Sequence, residues 1–66
     1  MGIPNKLKEV RERAGLTQNE LATKANVSRT LIVGIENGTI SVVRTSTLTK
    51  ISDALGKKVV SIFFTA

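Results

Sequence analysis

The chain has 66 residues, of which 41% are hydrophobic and 3% aromatic, and its formal net charge is +5. The absence of Cys and His excludes a disulfide framework, a Cys/His metal site and a Ser-His or Cys-His catalytic pair. The length suits one small domain, residues 1–66, and no apolar run approaches the roughly 20 residues that span a bilayer. We therefore expect a cytoplasmic protein whose basic surface suits a polyanionic partner, although the same charge also suits simple solubility.

The first predicted helix covers about residues 5–14. Leu7, Val10 and Ala14 fall on one face of a helix, and charged residues cover the other faces. Gly15 is a natural C-terminal cap, because glycine adopts the left-handed conformation at little cost. We expect the face with the three apolar residues to be buried.

The second predicted helix begins with the clearest local signal in the chain. Thr17 and Glu20 have the spacing of a capping box, in which each side chain accepts a hydrogen bond from the other residue's backbone N–H. Leu16 before the cap and Leu21 inside the helix form a hydrophobic staple. The helix should run to about Ala25.

A third helix follows a turn at Asn26, a residue type that tolerates positive φ. Ser28 is its predicted N-cap and Gly38 its stop, so that the helix covers residues 28–37. Two short helices joined by a turn of about three or four residues are typical of a helix-turn-helix. The sequence therefore predicts this arrangement for its second and third helices.

The rest of the chain gives one clear helix between two ambiguous segments. Residues 39–44 suit a loop or a short strand, because β-branched residues favour extended structure. A fourth helix begins near Thr45 or Ser46 and ends at Leu55. Residues 58–64 suit either a short fifth helix or a strand, and we prefer the helix. The predicted fold is thus all-α, a compact bundle of four to five short helices.

Several stretches of the sequence together resemble the Cro/cI-type (Xre) helix-turn-helix domains of phage repressors and bacterial regulators. The matching stretches are residues 7–11, 15–22, 27–29, 35–38 and 51–56. The resemblance covers nearly the whole chain. It implies a lambda repressor-like fold, double-stranded DNA as partner and a homodimer on DNA, with no enzymatic activity and no cofactor.

The resemblance also places the functional residues on and around the third helix, which would lie in the DNA major groove. The residues that it places against bases are Arg29, Thr30, Val33 and Gly34. Those that it places against the DNA backbone are Gln18, Ser28, Asn37 and Thr39, with Ser28 mainly a cap. Arginine suits bidentate pairing with guanine, and valine suits contact with a thymine methyl group.

Plain structural interpretations remain open for several of these residues. Arg29 and Thr30 also suit the solvated first turn of any helix, and Gln18 is a good residue for a helix start. Val33 suits a core position or an incidental surface position.

Three further positions on or near the third helix matter for the fold. Arg11 and Glu36 resemble a structural ion pair of the family that ties the first helix to the third. Gly34 stands where many relatives carry a basic or polar residue that contacts a base. A glycine inside a helix lowers its stability by roughly 1 kcal/mol relative to alanine. It allows close approach to DNA or weakens readout there. Leu31 is an apolar residue on a face that we expect to be wet.

The sequence predicts a sequence-specific, duplex-DNA-binding transcriptional regulator of phage or bacterial type. A phage repressor, a restriction-modification controller and an antitoxin fit equally well. The alternative is a protein-interaction module of the same fold whose DNA binding is weak or lost. The residues that favour this alternative are Leu31, Gly34, Ile40, Val42 and Val43. The sequence gives little support for enzymatic activity, since it contains no nucleophile-base pair and no glycine-rich loop that would bind phosphate. No small-molecule ligand is evident.

Overall fold

A computed structural model describes residues 5–40 and 42–63, and in these the chain forms five helices. They are α1 (Leu7–Arg13), α2 (Gln18–Ala25), α3 (Arg29–Asn37), α4 (Thr45–Leu55) and α5 (Val59–Ile62). The predicted all-α bundle is confirmed, and so is the choice of a helix over a strand for the tail. Ser41 in the predicted loop and Phe64 at the end of the tail lie outside the described residues. No helix in the described part is long and apolar enough to cross a membrane.

Helix α1 turns two of the three predicted apolar residues toward the core, since Val10 is half-buried and packs against it. Leu7 is fully buried as expected, but Ala14 is exposed and Arg11 is 8% exposed in its place. The expectation for Ala14 was wrong because the helix ends at Arg13, so Ala14 already belongs to the cap. Gly15 follows with φ of +74°, and the N–H groups of residues 15 and 16 donate back to the last turn of α1.

The start of α2 is held by the predicted capping box. The backbone N–H of Glu20 donates to Thr17 Oγ1 over 3.0 Å, and the backbone N–H of Thr17 donates to Glu20 Oε1 over 2.9 Å. The bond from the Thr17 backbone, aided by the threonine hydroxyl, holds the pKa of the Glu20 carboxyl below its ordinary value. The carboxylate therefore contributes stability at neutral pH that is lost as the pH falls through its lowered pKa.

Replacing Thr17 by alanine should lower the free energy of unfolding by about 1 kcal/mol, because the substitution leaves a backbone N–H at the helix start without a partner. Urea unfolding at pH 7 measures this change. Thr23→Ala is the matched control, since Thr23 is exposed inside the same helix and caps nothing. An unchanged urea midpoint for Thr17→Ala would contradict the capping role.

The hydrophobic core lies between α2, α3 and α4, with α1 and the tail closing it. Its fully or nearly fully buried residues are Leu7, Leu21, Ala22, Ala25, Ile32, Ile35, Leu48, Ile51, Ile62 and Phe63. Ser52 is the buried polar residue of α4, and its hydroxyl donates to the carbonyl oxygen of Leu48 over 2.8 Å. That bond gives the buried hydroxyl a hydrogen-bond partner.

The described ends of the chain meet beside this core. The backbone N–H of Lys6 donates to the carbonyl oxygen of Ile62 over 2.7 Å, and Asn5 forms an antiparallel β-bridge with Phe63. The Asn5 side chain accepts from the backbone N–H of Leu7 and donates to the carbonyl oxygen of Ile35, so that it joins the start of α1 to α3. The tail is thereby fixed against both α1 and the rest of the bundle.

Candidate nucleic-acid interface

The turn between α2 and α3 sets the angle at which α3 leaves the bundle. Three residues separate the two helices. Asn26 adopts the left-handed conformation with φ of 58°, as its residue type predicts. Ser28 then caps α3, its Oγ accepting from the backbone N–H of Leu31 over 3.1 Å. The first turn of α3 is therefore well ordered, which fixes the side chains that it carries.

The first turn of α3 presents the predicted base-contacting residues to solvent. Arg29 and Thr30 are exposed. Val33 lies one helical turn further along and is half-buried, although it does not pack against the hydrophobic core. Three of the four residues expected to face bases thus share one accessible side of the helix.

Gly34, the fourth of these residues, is placed differently. It is buried, and the side chain of Ile40 covers it so closely that a Cβ at position 34 would lie 2.5 Å from Ile40 Cγ1. The backbone N–H groups of Thr39 and Ile40 both donate to the carbonyl oxygen of Gly34, over 2.9 and 3.1 Å. The glycine thus admits the loop that follows α3, and Ile40 takes the space beside it. A base contact at Gly34 stays a prediction.

Gln18, expected at the DNA backbone, points partly into the bundle. Its side chain is half-buried, and its Nε2 donates to Glu36 Oε1 over 3.2 Å. The residue still occupies the first position of α2, where free backbone N–H groups favour an anion. A phosphate contact at Gln18 stays a prediction.

Asn37 and Thr39 form a small hydrogen-bonded cluster at the end of α3, and both are exposed. In the amide orientation that its neighbours favour, the Asn37 nitrogen donates to the carbonyl oxygens of Val33 and Gly34 over 2.9 and 3.2 Å, and to Thr39 Oγ1 over 3.0 Å. These bonds tie the Asn37 side chain to the last turns of α3 and to the residue that follows Gly38. A DNA-backbone contact from Asn37, Thr39 or Ser28 likewise stays a prediction.

The expected ion pair between Arg11 and Glu36 is present and bidentate. Arg11 Nε donates to Glu36 Oε2 over 2.7 Å, Nη2 donates to Oε1 over 3.0 Å, and Nη1 donates to the Leu16 carbonyl oxygen over 2.7 Å. The hydrogen bond to Glu36 raises the pKa of Arg11. The guanidinium therefore joins α1 to Leu16, in the segment that leads into α2, and to α3, and so holds both helices of the helix-turn-helix in place.

Positively charged side chains outnumber negatively charged ones on the surface once this pair is set aside. Nine of the ten Lys and Arg residues are exposed, against four exposed carboxylates. An excess of this kind suits a polyanion, which cations attract through phosphate groups. Within residues 5–40 and 42–63, no three acidic, His or Cys side chains are grouped so that they could hold a metal ion.

Two features near the site were missed by reasoning from the sequence. Leu31 is half-buried and packs against the core, so the expectation of a wet face at this position was wrong. Ile40 covers Gly34, and only the pairing of a helix-interior glycine with a β-branched residue shortly after the helix end pointed to this contact.

Comparison with known proteins gives one finding. A family model described as helix-turn-helix matches residues 7–62, a range that includes all five helices. No curated protein matches the chain.

Proposed function

Because the chain belongs to the Cro/cI-type (Xre) helix-turn-helix family of DNA-binding domains, which are not enzymes, we propose that it binds a specific duplex sequence and regulates transcription there. Helix α3 would lie in the major groove with its first turn toward the base edges. The observation that carries the proposal is the open first turn of α3, where exposed Arg29 and Thr30 follow directly on the capped start of the helix. Such a regulator would act in the cytoplasm of a bacterium.

The roles of individual residues follow from their chemistry and placement. Arg29 can donate two hydrogen bonds to O6 and N7 of guanine, and Thr30 can bond a base edge or a phosphate. Val33 offers methyl groups to a thymine methyl group. The surrounding lysines and arginines supply affinity for phosphates, which orients the domain without reading sequence.

We also propose that the domain binds DNA as a homodimer. Dimers of such domains usually contact two half-sites about one helical turn of DNA apart, so that the operator is a palindrome. Sedimentation of the complex with a selected operator gives the number of chains bound.

Selection of binding sites from a random duplex pool tests the function directly. The purified chain is mixed with the pool at fixed salt, and bound sequences are recovered over several rounds. An enriched palindrome supports a symmetric, sequence-specific regulator. Salt-sensitive binding without enrichment would contradict sequence-specific recognition.

The protein-interaction alternative loses most of its support in the structure. Leu31 packs against the core, and Gly34 is explained by Ile40. Val42 remains as an apolar side chain that is 89% exposed, and single residues of this kind are ordinary on protein surfaces. DNA affinity that falls steeply with rising salt would count against the alternative, since released counterions give that dependence.

Replacing Arg29 by alanine should weaken binding to the selected site by roughly 1–3 kcal/mol, which is about five- to 150-fold. It should also relax the sequence preference at one base pair, because the bidentate contact to guanine is lost. Affinities for the site and for its three variants at that base pair measure both effects. Arg13→Ala is the control: it removes an exposed positive charge outside α3 and should change all sequences equally. An equal loss on every sequence for Arg29→Ala would make Arg29 a phosphate contact.

A further inference from the structure

We propose that Ile40, from the loop after α3, is a sequence-reading residue that packs against the 5-methyl group of a thymine in the major groove. The inference rests on the proposed function, since it requires α3 to lie in that groove. It concerns a residue outside the recognition helix, and it assigns a base contact to the loop beside position 34, where the helix carries a glycine and so has no side chain.

The first step is the register of α3. Position 34 lies four residues after Thr30, so the two positions are neighbours on one side of the helix. A side chain at position 34 would continue the row that begins at Thr30. The chain carries a glycine there, and the place of its absent Cβ is filled by the end of the Ile40 side chain. Ile40 therefore presents methyl groups where the helix has no side chain of its own.

The second step concerns what holds Ile40. Its backbone N–H donates to the Gly34 carbonyl oxygen over 3.1 Å, and the preceding N–H of Thr39 donates to the same oxygen over 2.9 Å. The side chain is only half-buried, and it does not pack against the hydrophobic core as Leu31 and Val43 do. Ile40 is thus an apolar group fixed on the side of α3 beside Thr30. Binding therefore does not have to bear the entropy cost of ordering this loop.

The third step is the chemistry of the base that such a group would read. Isoleucine has no hydrogen-bonding side-chain atom, and the thymine 5-methyl is the apolar feature of the major groove. Against adenine or cytosine the same contact would cover an amino group without giving it a partner, which is unfavourable. A thymine is therefore the preferred base opposite Ile40.

The experiment combines a change in the DNA with a change in the protein. In the selected operator, each thymine is replaced in turn by deoxyuridine, which lacks only the 5-methyl group. Affinities are then measured for the wild-type chain and for Ile40→Ala. At one position per half-site, deoxyuridine should weaken wild-type binding about two- to fivefold, the effect of one buried methyl group. The Ile40→Ala variant should bind both forms of that position equally well.

Controls separate the loop contact from others. Val42→Ala shortens an exposed apolar residue of the same loop and should keep the full deoxyuridine effect. Val33→Ala should keep the deoxyuridine effect at the thymine that Ile40 contacts, and should lose any such effect at a thymine that Val33 contacts. Thermal unfolding checks that Ile40→Ala is folded.

The outcomes are distinct for the two proposals. The inference is overturned if the selected half-site contains no thymine, or if none of its deoxyuridine effects depends on Ile40. Either result leaves the proposed function intact. Failure to enrich any sequence overturns both. Loss of the effect in Ile40→Ala, with Val42→Ala unchanged, supports the base contact from the loop.

Discussion

Replacing Glu36 by glutamine should lower the free energy of unfolding by roughly 3–5 kcal/mol. The exposed fractions of the Arg11 and Glu36 side chains are only 10% and 4%, so the pair belongs to the buried class of ion pairs. Glutamine keeps the shape of the side chain but removes its charge. Arg11 remains protonated at any ordinary pH, because an arginine does not lose its proton in proteins. A buried cation is then left without a counterion.

The expected loss is comparable to the whole stability of a domain of this size, which is about 5 kcal/mol or less. A large fraction of Glu36→Gln should therefore be unfolded at room temperature, as far-ultraviolet circular dichroism in increasing urea will measure. Glu9→Gln is the matched control. Glu9 pairs with Arg13 over 3.5 Å in the open, with side chains 52% and 79% exposed, and should contribute less than about 1 kcal/mol.

A double variant separates the charge from the packing. In Arg11→Met with Glu36→Leu, neither charge remains, and apolar pairs of similar volume often replace buried ion pairs with little loss. This variant should be more stable than Glu36→Gln alone. If the urea midpoint of Glu36→Gln equalled that of Glu9→Gln, the ion pair would have no special part in holding α1 to α3.

Local signals in the sequence were enough to predict the starts of α2 and α3 and the turn between them. The capping box of Thr17 and Glu20, the turn at Asn26 and the cap at Ser28 each depend on residues no more than four apart. Hydrogen bonds between residues so close in the chain can be inferred directly from the residue types and their spacing. The all-α fold follows because the chain offers one such start or stop about every ten residues.

Contacts between distant residues could not be predicted in the same way. The β-bridge of Asn5 with Phe63 joins the two described ends of the chain, and no local pattern marks either partner. The Arg11–Glu36 pair was expected only from a family resemblance, since spacing alone does not place residues 25 apart in contact. At the site, the exposed first turn of α3 was predictable from helical register, whereas Ile40 over Gly34 depends on the path of the loop.

Replacing Phe63 by alanine is the second change with a large expected effect, a loss of about 3–5 kcal/mol in the free energy of unfolding. Phe63 is the largest fully buried side chain among the described residues, and its removal leaves a cavity that a small core has little means to fill. Val60→Ala is the matched control in the same tail. Val60 is 71% exposed, and its truncation should change stability by less than about 0.5 kcal/mol.

Hydrogen exchange in Phe63→Ala distinguishes two ways in which the stability is lost. If the tail is part of one cooperative unit, backbone amides of α2 and of the tail should lose protection together. If the tail opens by itself, the Lys6 amide, which donates to the Ile62 carbonyl oxygen, should exchange faster while the Leu21 amide inside α2 stays protected. We expect the first result, because Phe63 and Leu21 belong to the same core cluster and a cavity at one weakens the packing of the other. Unchanged protection at both amides would contradict the structural role of Phe63.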